Sequence, residues 1–359
     1  MPAPDLIVHS PAPLNAEPPL DRLRASFVTG QPDFYVRTHG EIPTLDAASH
    51  RLRVGGRVAQ PLELSMQDLR TRFPRRSEMA VMQCAGNRRA ELNQVRAVDG
   101  DPWAGGAIGN ARWTGVALAD VLRAAGAPDD PSLHVAFSCC DDVELPGEGR
   151  FRFGVSIPMA KAMAPEVLLA FAMNGADLAP EHGHPLRVVV PGYAGARSAK
   201  WLAAISVQEA PSDSPIQQHD YKLLPPDITS DSIDWSRGVT INDMPLNAAI
   251  CDPAAEARVQ AGPVALKGYA VAAGRGIARV DVSADGGRNW RQAELEHDPA
   301  APWSWTFWQA TLDLAAGEHE LVVRAWDSAG QTQPARPDDV WNRKGYLSAA
   351  WHRVRVRAD

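Results

Sequence analysis

The sequence predicts a mixed α+β domain followed by an all-β sandwich, and three observations carry that reading. Helical and strand periodicities alternate through the first two-thirds of the chain, whereas short alternating strands separated by turn residues take over after about Ile233. Seven of the eleven tryptophans lie beyond residue 250. At 359 residues the chain is long enough for two domains, each burying its own core.

The elements follow in order. Residues 1–33 are rich in proline and polar residues without a sustained period, so they are expected to lie on the surface as an extended arm. From Phe34 the pattern tightens, and residues 34–235 are expected to form the first domain. Within it Leu118, Val121, Leu122 and Ala125 recur at helical spacing, with Gly126 placed as a stop. The short apolar run Leu186-Arg187-Val188-Val189-Val190 ends at Pro191-Gly192 and predicts a buried strand. In the sandwich, residues 236–359, Val280-Asp281-Val282-Ser283 leads into Asp285-Gly286-Gly287, a hairpin turn. Leu321-Val322-Val323-Arg324-Ala325 likewise ends near Asp327-Ser328-Ala329-Gly330. Trp303, Trp305 and Trp308 are expected in a core or at a subunit interface, because each carries a large apolar area and a donor that needs a partner.

Composition excludes several function classes. With 45% hydrophobic and 22% charged residues the chain is an ordinary globular protein, and no apolar run is long enough to cross a bilayer as a helix. A formal net charge of -7 lacks the basic footprint of a nucleic-acid binder. Met1-Pro2-Ala3-Pro4-Asp5 has neither a basic nor an apolar leader segment, so a chain that naturally starts at Met1 is expected in the cytoplasm; removal of a signal peptide would place it in the periplasm. The cysteines at 84, 139, 140 and 251 offer neither a disulfide framework nor a paired zinc motif, and Cys139 and Cys140 read as small core residues.

The most informative segment is Met82-Gln83-Cys84-Ala85-Gly86-Asn87-Arg88-Arg89. It sets one soft thiolate donor beside small residues that let backbone approach a bulky ligand, and beside two guanidinium groups suited to oxyanions. On these residues alone, a packed structural cysteine followed by surface arginines is the commoner arrangement.

The segment, however, resembles the cofactor motif of the sulfite oxidase family, and ordered matches extend over roughly residues 34 to 356. They include Phe34-Tyr35-Val36-Arg37-Thr38-His39, Trp103, Ala111-Arg112-Trp113-Thr114-Gly115, the block from His182 to Gly192, and Gly195-Ala196-Arg197-Ser198-Ala199-Lys200-Trp201-Leu202. Lys267-Gly268-Tyr269-Ala270, Asp285-Gly286-Gly287, the tryptophan cluster and Trp341-Asn342 continue the series. The resemblance is to haem-free, bacterial-type members, and it implies an immunoglobulin-like form for the sandwich and a homodimer built through it. It also implies that Cys84 is the protein ligand of molybdenum, completing a coordination begun by the two dithiolene sulfurs of molybdopterin. Tyr35, Val36, Arg37, His39, Asp141, His182, Arg187, Ser198, Ala199 and Lys200 match the pterin-contacting positions. His182 and His184 alone are too few ligands for a zinc site.

On the substrate side the resemblance carries over Arg37, Arg89, Trp103 and Tyr221. Sulfite oxidases have tyrosine where Tyr221 stands, and related assimilatory nitrate reductases have asparagine. Thr306, between Trp305 and Phe307, aligns with a further substrate-binding arginine, which predicts an anion pocket one charge weaker. The implied activity is oxidation of sulfite to sulfate by oxygen-atom transfer. With no C-x-x-C-H haem motif in the chain, a cytochrome or dioxygen is the expected external electron acceptor. The competing readings are a molybdenum reductase of nitrate or of an S- or N-oxide, and a non-catalytic binding protein.

Overall fold

The computed structural model describes residues 6–228 and 233–359. Its first element corrects the expectation of a surface arm. Ile7–Pro11 (β1) pairs with Leu14–Glu17 (β2), and β2 pairs in turn with Val36–Arg37 (β3). The prolines interrupt periodicity but leave room for two short strands. Asn15 and Glu17, two residues apart on β2 and therefore on one face, are both buried. The short helix α1 (Leu20–Arg24) follows and buries Leu23 against Ile108 and Tyr269.

In the first domain β4 (Arg51–Gly56) and β5 (Leu62–Ser65) precede α2 (Met66–Arg72), which opens on a capping box. There Asp68 N donates to Ser65 Oγ at 3.0 Å and Ser65 N donates to Asp68 Oδ2 at 2.9 Å, satisfying two helix-end donors. Next come β6 (Arg75–Gln83), α3 (Arg89–Val95), β7 (Ile108–Ala117), α4 (Leu118–Ala124), β8 (His134–Leu145) and β9 (Gly149–Pro158). Then β10 (Leu168–Met173), β11 (Ala176–Asp177), β12 (Arg187–Val189) and β13 (Leu202–Gln208) follow. One sheet runs β11-β10-β7-β6 with β12 on β10, and the other runs β5-β4-β13-β8-β9. Their apolar faces share a core that includes Leu118, Val121 and Leu122 of α4 and Val188 of β12, the helix and strand that the periodicities predict. Gly126 ends the helical segment at a φ of 67°, a left-handed conformation glycine adopts without strain.

A two-stranded ribbon of β14 (Lys222–Leu223) and β15 (Val239–Thr240) links the domains. The remaining chain is strand and loop apart from one 3-10 turn at Pro337–Val340: β16 (Asn247–Asp252), β17 (Ala257–Val259), β18 (Gly262–Val271), β19 (Ile277–Ser283), β20 (Arg291–Gln292), β21 (Glu294–Glu296), β22 (Thr306–Leu314), β23 (Gly317–Asp327) and β24 (His352–Ala358). Sheets β16-β18-β22-β21 and β17-β24-β23-β19-β20 pack face to face over Leu266, Val280, Val282, Trp308, Leu321, Val323 and Val354. Side chains alternate along β22: Trp308 enters this sandwich core, while Phe307, with Trp305 just ahead of the strand, packs toward Leu23 and Ile108 of the first domain.

Arg88 clamps the two domains together. Fully buried at a φ of 65°, it donates from Nε and Nη2 to both carboxylate oxygens of Glu91 at 2.7 and 2.6 Å. Across the domain boundary Nη1 reaches Asn247 Oδ1 at 2.7 Å, and Nη2 reaches the Ala350 carbonyl at 2.8 Å. Glu91 keeps a quarter of its side chain exposed, so removing Arg88 strands mainly the buried Asn247 and Ala350 acceptors, and Arg88→Met is expected to lower unfolding free energy by about 1–3 kcal/mol. Thermal denaturation checks this, and a midpoint within about 1 °C of wild type would count against the clamp.

Candidate active site

Strand β6 ends at Gln83, and the chain then turns tightly before α3. Cys84 N donates to the Ala107 carbonyl at 2.9 Å, Asn87 N donates to the Cys84 carbonyl at 3.0 Å, and Gly86 N donates to Cys84 Sγ at 3.4 Å. This turn sets the thiol in the wall of a cleft shared with Arg37, His39, Asp141, Lys200 and Tyr221. Burial pushes the thiol's pKa up, while the Arg89 and Arg37 guanidiniums pull it back down. A ligand that displaces the proton is thus met by two cations.

Beside the thiol, Arg37 Nη1 donates to Asn15 Oδ1 at 3.3 Å and to the Thr38 carbonyl. Tyr221 takes a φ of 44° that brings its hydroxyl to 2.8 Å from His39 Nε2, and its ring stacks on Tyr346 with centroids 5.4 Å apart. Burial, with Arg37, Lys200 and Lys344, holds His39 well below its ordinary pKa, so the ring is neutral at pH 7. Arg89 runs through a channel walled by glycines. A Cβ at Gly86 or Gly100 would lie 2.6 or 2.8 Å from its terminal nitrogens, and one at Gly345 would lie 2.6 Å from its Cγ. Its Nη1 donates to the Asp101 carbonyl at 2.9 Å, its Nε to the Lys344 carbonyl at 3.1 Å, and its guanidinium carbon lies 5.2 Å from the Tyr346 ring centroid.

At the cleft's other end stand Asp141, His182, Arg187, Ser198 and Lys200. Arg187 is buried and donates to the His182 and Ser198 carbonyls, both at 2.9 Å; burial lowers its pKa to about 10. Burial likewise lowers Lys200 to about 7, although its Nζ donates to the Glu181 carbonyl at 2.8 Å, and raises Asp141 to about 6. Asp141 Oδ1 is buried without a hydrogen-bond partner.

Of the residues singled out from the sequence, the structure brings Tyr35, Arg37, His39, Cys84, Asp141, His182, Arg187, Ser198, Ala199, Lys200 and Tyr221 onto one cleft. Val36 is buried between two wall residues and points the other way, as strand alternation requires. Trp103 packs in a cluster with Cys84 and Tyr35, its indole N–H buried and unpaired. Thr306 is a correction. It pairs across the sheet with Ala270 and shares the sandwich-core face with Trp308, so it does not line the cleft. The flanking tryptophans invited a register that strand geometry rules out.

The C-terminal segment instead supplies Lys344 and Tyr346. Lys344 Nζ lies 3.1 Å from Asp220 Oδ1, which also accepts the Tyr346 hydroxyl at 2.6 Å. The last motif singled out from the sequence is Trp341-Asn342, and the signal lay two residues beyond it, in a lysine directly followed by Gly345, whose φ is 59°.

The donor set fits a molybdopterin. A single thiol leaves most of a metal's coordination to another ligand, and among the described residues no cluster of three or more His, Cys, Asp or Glu side chains is placed to hold an ion unaided. The unpaired Asp141 oxygen asks for N–H donors of the kind a pterin carries, and Lys200 suits a phosphate.

Residues 39–216 match the family described as oxidoreductase molybdopterin binding domain, and residues 238–359 match the Mo-co oxidoreductase dimerisation domain. Fold and cleft together define a molybdenum oxidoreductase. Sulfite oxidase of Gallus gallus is 44% identical over 98% of this chain and 77% of its own length, and that of Arabidopsis thaliana is 40% identical over 99% and 94%. The chain spans 66% of mitochondrial sulfite oxidase of Homo sapiens. The solved sulfane dehydrogenase SoxCD of Paracoccus pantotrophus superposes with a TM-score of 0.83 at 30% identity, covering 98% of this chain and 87% of that one. The chain belongs to the sulfite oxidase family.

The glycine channel generates a test. Gly100 has a φ of 101° and no room for a methyl group beside Arg89, so Gly100→Ala should displace the guanidinium and cost about 1–3 kcal/mol of stability. Oxyanion affinity, measured by calorimetry with sulfate, should fall at the same time; unchanged affinity in a destabilised variant would mean that Arg89 serves the fold alone.

Proposed function

We propose that the protein oxidises sulfite to sulfate, with water supplying the oxygen and two electrons leaving to an external acceptor, a cytochrome or dioxygen. The observation that carries this reading is the convergence of the Cys84 thiol, Arg37 and Tyr221 on one cleft, with Arg89 and Lys344 beside them. Bound there through Cys84, molybdopterin would supply a metal that accepts an oxygen-transfer reaction's two electrons. Tyr35, His39, Asp141, His182, Ser198, Ala199 and Lys200 would hold the pterin, with Arg187 organising the carbonyls beneath it.

The chain's own residues provide position and charge. Arg37 and Arg89 keep donors free of carboxylates and so present positive charge to a dianion. The hydroxyl of Tyr221, its pKa raised mainly by burial, stays protonated and donates a hydrogen bond to substrate oxygen. Trp103, fully buried, backs Cys84 and Tyr35 from within the core. A tyrosine rather than an asparagine at 221 favours sulfite over nitrate. The two-sheet sandwich is taken as immunoglobulin-like and as the main contact of a homodimer, which its similarity to a dimerisation domain supports.

Cys84→Ser should abolish turnover and reduce molybdenum content, because a hydroxyl is a poor substitute for a soft thiolate. Metal analysis with a sulfite-dependent ferricyanide assay checks both, and near-normal activity would remove Cys84 from the metal. Lys344→Met should raise the sulfite KM by roughly tenfold, the worth of one charge-assisted hydrogen bond, and most at low ionic strength. Thr306→Arg, by contrast, should fold poorly and leave KM no better, since it forces a charge into the sandwich core. A lower KM in Thr306→Arg would reverse these two assignments. Light scattering is expected to give twice the 38.7 kDa chain mass, and a monomer at micromolar concentration would exclude the dimer.

A further inference from the structure

The N-terminal hairpin lies ahead of both matched domains, yet it reaches the back of the cleft at two points. Asn15 Oδ1 accepts from Thr38 N at 2.9 Å as well as from Arg37 Nη1 at 3.3 Å, so a single carbonyl oxygen fixes both the backbone and the guanidinium of the Arg37 segment. Two residues along the same strand, Glu17 is fully buried. Its Oε1 accepts from Ala104 N at 2.6 Å and lies 2.7 Å from His9 Nε2, and its Oε2 accepts from Gly106 N at 2.8 Å.

The loop that Glu17 grips is the common support of the remaining anion-pocket groups. The Asp101 carbonyl holds Arg89 Nη1, Trp103 is part of the loop itself, and the Ala107 carbonyl accepts Cys84 N. Trp103 is pressed from behind by the ring of His9, whose centroid is 4.9 Å away at 68°. Among the described residues, the hydrogen bonds that set this loop against the hairpin end on one carboxylate. A glutamine there would keep one acceptor and turn its NH2 group toward an amide N–H, leaving a buried backbone donor unpaired.

We propose that Asn15 and Glu17 are positioning residues for the oxyanion pocket, the first aiming Arg37 and the second fixing the loop that seats Arg89, Trp103 and Cys84. This rests on reading the cleft as an oxyanion site. The N-terminal hairpin is then part of the active site although it contributes no group that touches the substrate.

The test uses holoenzyme with matched molybdenum content. Sulfate affinity is measured by isothermal titration calorimetry at two ionic strengths, beside sulfite KM and kcat with ferricyanide. Asn15→Leu and Glu17→Gln should each weaken sulfate binding by about fivefold or more, the loss of one buried hydrogen bond's aim. Asn15→Asp keeps both accepted bonds but sets an anion against Arg37. It should therefore restore kcat relative to Asn15→Leu while still binding sulfate weakly, and with less salt dependence than wild type. A residue that merely stabilised the fold would lower the melting temperature, leave sulfate affinity within about twofold, and be rescued fully by aspartate; that result overturns the proposal. If Asn15→Leu fails to fold, Asn15→Asp decides for Asn15 through its split between kcat and affinity; if Glu17→Gln fails to fold, Glu17→Asp, which keeps the charge but shortens the reach to Ala104 N and Gly106 N, decides for Glu17 by the same sulfate titration, unchanged affinity overturning its role. A wild-type enzyme that binds sulfate but does not turn over sulfite would refute the proposed reaction and leave this calorimetric test standing.

Discussion

Buried positive charge held by neutral acceptors is the constraint on which this site depends. Arg187 donates to three backbone carbonyls, Arg89 to two more, Arg37 to a carbonyl and an asparagine, and Lys200 to the Glu181 carbonyl. Satisfying these cations with carboxylates would have been easier for folding, because an ion pair offsets part of the desolvation each pays. It would also have cancelled the field. Carbonyl dipoles meet the hydrogen-bonding demand and leave the net charge for ligands, which is what an anionic cofactor and an oxyanion substrate need. Lys344, paired with Asp220, is the exception, and its side chain is 21% exposed.

Such an arrangement requires the surrounding chain to be rigid, and the second domain supplies much of that rigidity. Beyond Arg88, the Trp341 indole donates to the Arg96 carbonyl at 2.9 Å, and Leu347 N donates to the Ala85 carbonyl at 2.8 Å, one residue from the thiol. The segment from Trp341 to Leu347 therefore leaves the sandwich, crosses behind α3, and delivers Lys344 and Tyr346 beside Arg89. A domain whose family description speaks of dimerisation here also builds the pocket. The three glycines around Arg89 come from three separate segments, so its aim is a property of the assembled fold.

What could be read from the sequence divides along the same line. The thiol beside small residues and Arg89, the helix at Leu118 and the switch to alternating strands are local patterns that the structure contains, whereas Arg88, the second guanidinium of the motif, turns away from the thiol to Glu91 and Asn247. The prolines before residue 20 obscured the N-terminal hairpin, since two short strands that pair across a tight turn leave almost no periodicity to detect. Thr306 failed because a residue between tryptophans was matched by neighbours rather than by the face of the strand, and alternation turns its side chain away from the cleft. Lys344 was missed for the opposite reason: nothing in a surface-like Arg343-Lys344-Gly345 says that the chain returns to a pocket assembled some 250 residues earlier.

The same charge logic fixes how ligand capture couples to protons. Burial lowers Lys200 from 10.5 to about 7, so between those values the lysine is largely neutral unless an anion lies beside it, although the free side chain would be charged. An anion placed beside it favours the ammonium and raises its pKa, and binding in that range then takes up a proton. Anion affinity at this end of the cleft should thus decline as pH rises above about 7, and Asp141, raised to about 6 beside it, begins the decline from about pH 6 as it becomes an anion. Arg187, lowered only to about 10, keeps its charge throughout and cannot supply this dependence. The coupling also runs in reverse: a phosphate that restores the ammonium offsets part of the desolvation that the fold imposes on Lys200, so a ligand that is captured by the cleft also stabilises the protein around it.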